Sequence, residues 1–220
     1  MGSDHTVVQG EHLSSIARKY GLASYKTIWD HAQNAELKKQ RQNPNVILPG
    51  DRLFIPDREE REESGGTEKR HRFQVKTEKL TLRLVLEDLY GKPIANASCE
   101  LRVENDVFEL TTSGQGKIEQ DIKPTDERAF LTIKDPQTPV NEMQIPIMIG
   151  HLDPVEEVSG QKARLNNLGY FAGPLEGKSD EENQARFLSA IEEFQCDHGL
   201  LVDGKCGPQT QAKLKQVHGC

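Results

Sequence analysis

The period of the apolar positions changes twice along the chain. At the front, His5 to Val8 reads as a short extended run. Leu13, Ile16, Ala17 and Tyr20 then recur at i, i+3, i+4 and i+7, the spacing of one helix face. Gly21 stops that helix, and Ser24 is placed to cap a second one in which Tyr25, Ile28, Trp29 and Ala32 repeat the spacing. A polar stretch follows through Gln42. Pro49-Gly50 then signals a turn, and Arg52 to Ile55 reads as a strand. The pattern predicts a strand–helix–helix–strand unit over residues 1–57.

Residues 58–72 lack apolar side chains and carry mixed charges around a Gly-Gly break, so they read as a charged flexible linker. From Phe73 the period becomes two. Leu80, Leu82, Leu84 and Leu86 alternate, and so do Ala97, Cys99, Leu101 and Val103. "EDLYGKPIANA" and "TTSGQGK" are turns, and Phe130–Ile133 and Met143–Ile149 are further strand candidates. Short strands between regular turn signals predict a small all-β sandwich over residues 73–150. Pro146 cannot donate to a ladder, which places the last strand at a sheet edge. Nothing in this stretch gathers catalytic groups, and its default role is that of a spacer or a protein contact.

The helical period returns in residues 151–220. Ala163, Leu165 and Leu168 precede Gly169; Phe187, Leu188, Ile191 and Phe194 mark a second helix; Ala212 and Leu214 lie on a third. A Gly turn, an apolar pair, a second Gly turn and a helix occur twice, which predicts a three-helix bundle. The whole reads as a multidomain α+β chain.

Composition narrows the picture. Aromatic residues are 5% and charged residues 29% of the sequence, so several modest cores fit better than one large core. The formal net charge of −7 argues against a general nucleic-acid binder or a membrane-surface binder, because both need a basic face. No apolar run is long enough to span a membrane, and the front of the chain has no apolar signal-peptide core. The expectation is synthesis in the cytoplasm, with any action at a cell wall or in the periplasm requiring a different export route.

Candidate chemistry is sparse. The four cysteines form no C-x-x-C pair. Cys99 falls on an apolar strand face and reads as a buried thiol, while Cys196, Cys206 and Cys220 are either free or joined in part by a disulfide. The seven histidines are scattered, with no H-E-x-x-H, and there is no G-x-S-x-G elbow. "VHGC" resembles the nucleophile segment of L,D-transpeptidases. Val217, however, replaces the hydroxyl residue of that segment, and no transpeptidase sheet precedes it. No catalytic residue, metal or cofactor is expected, and the chain reads as a non-enzyme.

"HTVVQGEHLSSIARKYG" and "VILPGDRLFIP", in that order, resemble the opening and closing of the LysM domain. The resemblance implies a βααβ fold and a shallow groove for the N-acetylglucosamine of peptidoglycan or chitin. By position the groove takes Gly10, Glu11, His12 and Leu13 from the first loop and Val46, Ile47, Leu48 and Pro49 from the second. Glu11-His12 replaces the family's Asp-Thr, which removes a helix cap and alters the groove edge. The middle stretch is similar in rhythm to immunoglobulin-like or carboxypeptidase-regulatory-like modules.

"ARLNNLGYFAGPLEG", "AIEEFQCDHGL" and "VDGKCGPQT" resemble the peptidoglycan-binding domain found beside cell-wall hydrolases. That resemblance implies a muropeptide surface formed by Leu168, Gly169, Tyr170 and Phe171, with Asp203, Gly204 and Thr210 nearby. Asp203 and Thr210 read equally well as turn and capping residues. The combination is similar to proteins associated with contractile injection systems such as type VI secretion. It implies either a wall-binding accessory or cargo, or an adaptor docking on spike or baseplate proteins.

Overall fold

A computed structural model describes residues 2–58, 67–68, 70, 79–88, 90–134, 143–175 and 180–220. The chain divides into two units, Met1–His151 and Leu152–Cys220.

The first unit opens with β1 (Ser3–Thr6), α1 (Leu13–Lys19) and α2 (Lys26–Trp29). A 3-10 turn (Ala32–Asn34), α3 (Ala35–Arg41) and β2 (Arg52–Ile55) follow. β1 and β2 pair antiparallel, with His5 opposite Leu53. Leu13, Ile16 and Ala17 of α1 pack with Val7, Ile28, Trp29, Ile47, Leu53 and Ile55 in one core. Each Val, Leu or Ile among them contributes about 1.5–3 kcal/mol when fully buried.

The second predicted helix is two helices. The chain leaves α2 at Asp30 and becomes extended at His31 (φ −69°, ψ 137°), whose ring nitrogen accepts from the Gln33 N–H. Ala32 is therefore exposed, and Asn34 is buried in its place. Asn34 donates to the carbonyls of Ile28 and Phe54 and accepts from the Phe54 N–H, all at 2.8 Å, so it ties this turn to β2. The polar stretch that follows folds as α3. Its residues are strong helix formers, with Glu36 in the first turn and Lys38, Lys39 and Arg41 in the last, matching the helix dipole.

The middle of the chain supplies β3 (Leu80–Val85), β4 (Ser98–Val103), β5 (Asp106–Thr111), β6 (Lys117–Ile122), β7 (Arg128–Lys134) and β8 (Met143–Met148). They form a two-stranded sheet, β3-β6, and a four-stranded sheet, β5-β4-β7-β8, all antiparallel. One core joins the two sheets around Cys99, Leu101, Leu131 and Ile118. β8, with Pro146, lies at a sheet edge as expected. The predicted linker, residues 58–72, lies almost wholly outside the described residues, as do residues 73–78 and 135–142.

The second unit holds α4 (Val158–Asn167), α5 (Glu181–Asp197) and α6 (Pro208–His218). Asp180 caps α5, with its carboxylate accepting from the Asn183 N–H. Pro208 opens α6, and Gly219 (φ 91°) closes it. Val155, Leu165, Ala172, Ala190, Ile191, Phe194 and Leu214 form the core. Ala212, read from sequence as a helix-face residue, is exposed, and Leu214 faces inward with Thr210.

Arg164 is 1% exposed. Its Nε donates to the Cys220 carbonyl, and one terminal nitrogen donates to the carbonyls of Asp153 and Gly160, each at 2.8 Å. This guanidinium ties the start of the unit and its last helix to α4.

Candidate functional site

The first candidate loop runs from β1 into α1, and its polar groups turn inward. Glu11 accepts from the Val8 N–H at 3.0 Å and from Lys19 at 3.0 Å, and pairs with His5 Nε2 at 2.7 Å. Burial pushes its carboxyl up, but the Val8 N–H, His5 and Lys19 outweigh it and hold the group below its ordinary value. His5 is fixed on its other side by the Tyr20 hydroxyl at 3.2 Å. The cap lost at position 12 is made good by Ser15, whose Oγ accepts from the His12 N–H and donates to the His12 carbonyl.

The expected groove edge is not open at His12. Its ring is 7% exposed and lies by the Pro124 carbonyl of the β6–β7 turn. Burial pushes the ring's pKa down, and the Pro124 carbonyl partly offsets this. Gly10 (φ 87°) lies against His151, and Leu13 is core.

The second loop is positioned by Asp51. Its carboxylate takes a bidentate pair from Arg41 (2.9 and 2.7 Å) and accepts from the Leu48 N–H. The Gly50 N–H reaches the Val7 carbonyl at 2.8 Å. Val46 and Ile47 are buried, whereas Leu48 and Pro49 are half-exposed. Of the eight positions expected to line this groove, Gly10, Glu11, Leu48 and Pro49 retain partial exposure.

In the second unit, the turn that carries Asp203, Gly204 and Thr210 is built around a side chain that periodicity did not single out. Gln195 is 1% exposed. Its carbonyl accepts from the N–H groups of Asp203 and Gly204 at 2.9 and 3.0 Å. Its amide faces Asp203 Oδ1, the Lys205 carbonyl and the Thr210 hydroxyl at 2.9–3.0 Å. Asp203 also accepts from the Lys205 N–H. Bonds from Gln195 and Lys205 hold its carboxyl below the ordinary value. Asp203 and Thr210 therefore serve the turn. Leu188 of α5 closes over Gly204, where an added Cβ would fall 2.3 Å from it.

On the 168–171 side, Asn166 accepts from the Ala172 N–H and donates to the Gly173 carbonyl, shaping the loop. Leu168 packs against the core. Tyr170 stands edge-on to Phe194 and donates to Asp197 at 2.9 Å. Burial and then the Asp197 carboxylate push its hydroxyl up to about 12. Phe171 is 67% exposed beneath the Arg186 guanidinium, 5.1 Å from its ring. Leu201 is 77% exposed. These apolar groups are free to meet a ligand.

Two family models match the chain. One, described as "LysM domain", covers residues 5–56, and the other, described as "Putative peptidoglycan binding domain", covers residues 155–214. The chain carries both domains. They support peptidoglycan binding. None of the curated proteins and none of the solved structures matches it.

At the end of the peptidoglycan-binding domain, Cys220 Sγ lies 3.3 Å from His218 Nδ1, and His218 Nε2 lies 3.0 Å from the Asn167 amide. The row has the makeup of a thiol–imidazole pair but not its electrostatics. With Nε2 accepting from Asn167, the proton sits on Nδ1, which is then a donor and cannot take the thiol's proton. Burial pushes the thiol pKa up. Burial and then Arg164 push the imidazole down to about 4.

That imidazole carries a stability prediction. The unfolded chain binds a proton at His218 near pH 6.5, whereas the folded domain resists it until about pH 4. The cost is absent above pH 6.5, grows between 6.5 and 4, and is constant below. It should reach about 2 kcal/mol after allowing for solvent at the partly exposed ring. Urea titrations from pH 7 to 4, followed by circular dichroism, should show the loss. His218→Gln should flatten it, and an equal loss in that variant would contradict the assignment.

No group of three or more His, Cys, Asp or Glu among the described residues is arranged to hold a metal ion. No helix among them is long and apolar enough to cross a membrane.

Proposed function

We propose that the chain is a non-catalytic tether to bacterial peptidoglycan. The LysM domain reads N-acetylglucosamine, and the C-terminal domain reads muropeptide through Phe171 and the turn held by Gln195. The observation that carries this reading is the presence of two distinct peptidoglycan-type domains, each with its own apolar core. The middle domain serves as a spacer. On this reading the protein acts at the wall or in the periplasm, as an accessory or cargo of a contractile injection system.

The test is co-sedimentation with purified sacculi, alongside zymography on the same material. Retention of the full chain without a lytic band is the expected result. A lytic band overturns the non-catalytic reading, and absence from the pellet overturns the tether. A second reading is favoured by the inward-turned first LysM loop: the chain is a structural adaptor whose LysM domain docks on spike or baseplate proteins. A spike protein that captures the chain while sacculi do not decides for the adaptor.

A further inference from the structure

The contact at the first LysM loop combines a close passage of two glycine backbones with the rings of His12 and His151. Gly150 (φ 78°), just after β8, lies so close to the loop that a Cβ there would fall 2.5 Å from the Gly10 carbonyl oxygen and 3.1 Å from the His12 ring. A Cβ on Gly10 would in turn fall 2.9 Å from His151 Nε2. Gln9 reaches the His151 ring at 3.4 Å. The Pro124 carbonyl, from the turn before β7, faces the His12 ring. Two separate pieces of the middle domain, the segment after β8 and the β6–β7 turn, thus converge on Gln9, Gly10 and His12.

The cores on the two sides remain separate. No buried side chain of the LysM core belongs to the core of the sheets. Beside the contact, the two surfaces part into an open cleft between α1–α2 and residues 123–125, lined by apolar and polar groups alike, among them Ala17, Leu22, Pro124, Arg18, Lys123 and Thr125. With the two cores separate, the loop contact rests on the Gln9–His151 approach and the close passage of Gly10 and Gly150 rather than on a common core. Such a contact opens at modest cost, while closing it covers one edge of the candidate glycan groove.

We propose that Pro124, Gly150 and His151 form a lid of the middle domain over the first LysM loop, so that the closed state withholds the groove edge from glycan. The proposal rests on the glycan reading of the LysM domain given above. A protein that is closed most of the time binds with its intrinsic affinity multiplied by its open fraction. Variants that prise the lid open should therefore bind glycan more tightly, although the altered residues lie outside the LysM domain.

The experiment uses the full chain and N-acetylglucosamine tetramer as probe. Gly150→Val forces the backbones apart. His151→Ala removes the Gln9 contact without straining the backbone, which guards against a misfolded valine variant. Amide hydrogen exchange over residues 9–13 reads the lid, and calorimetry with the tetramer reads the groove. The expected result is faster exchange in both variants and binding tighter by about tenfold. Unchanged exchange overturns the lid. Faster exchange with equal tetramer binding overturns the gate but leaves the glycan reading standing. Faster exchange with no tetramer binding by any form overturns the gate and the glycan reading of this domain together.

Discussion

Replacing Gln195 with leucine should unfold the 203–205 turn and lower the stability of the C-terminal unit by about 3–4 kcal/mol. Leucine keeps most of the volume but none of the polar atoms. The N–H groups of Asp203 and Gly204 lose their acceptor, and the Lys205 carbonyl and Thr210 hydroxyl lose a donor. Each polar group left buried and unpaired costs about 1–3 kcal/mol, less whatever relaxation of the turn lets water in. Gln195→Glu should fare no better at neutral pH. It retains acceptors for the two N–H groups but loses the donor and sets a second carboxylate beside Asp203.

The readouts separate the two units. Trp29 is the single tryptophan and lies in the LysM core, so its fluorescence follows the N-terminal unit. The helical dichroism signal is weighted toward α4, α5 and α6. The dichroism transition should shift while the fluorescence transition stays in place. Sacculus binding through this end should fall at least tenfold with the turn. A leucine variant with wild-type melting and wild-type binding would show that Gln195 does not organise the site.

Gln195 also marks where reading the sequence stops. Apolar periodicity locates the cores, because burial of Leu13, Ile16, Phe194 or Leu101 leaves a period of 3.6 or 2 in the chain. A buried polar residue leaves no such trace. Asn34, Arg164 and Gln195 look like surface residues in sequence, yet each holds together backbone segments that do not adjoin it in the chain. α3 was invisible for a related reason: it packs through little more than Leu37, so it has propensity but no stripe. β6 brings only Ile118 and Ile122 to the core and spends its other positions on polar groups.

The fate of the first LysM loop was the least legible feature. Gln9 and His151 are 142 positions apart, and no local pattern announces that they meet. The family resemblance places Gly10 and His12 at a groove edge. Only the folded middle domain shows what lies against them. The departure from the family's Asp-Thr has a physical account in this contact. His12 sits against the Pro124 carbonyl while Glu11 turns inward to His5 and Lys19.

Joining the two ends in one chain should raise retention on sacculi by about 10²–10⁴-fold over either end alone. Once one domain is bound, the second searches a small volume of a polymer that repeats its ligand, so no new contact is needed for the gain. Asn34→Leu cuts the ties between the turn before α3 and β2, and so disables the LysM end. Gln195→Leu disables the other. Each variant should lose nearly the whole of the gain, and the double variant should lose little more than a single one beyond residual binding. Soluble monomeric muropeptide is the control, because it offers a single site and should show no such difference between intact chain and Asn34→Leu. If the lid governs the LysM end, Gly150→Val should increase retention on sacculi while leaving muropeptide binding unchanged, since it alters the number of engaged ends and not the C-terminal contact. Single-end variants that bind sacculi within a few-fold of the intact chain would mean the ends do not act together, and the tether would reduce to one domain.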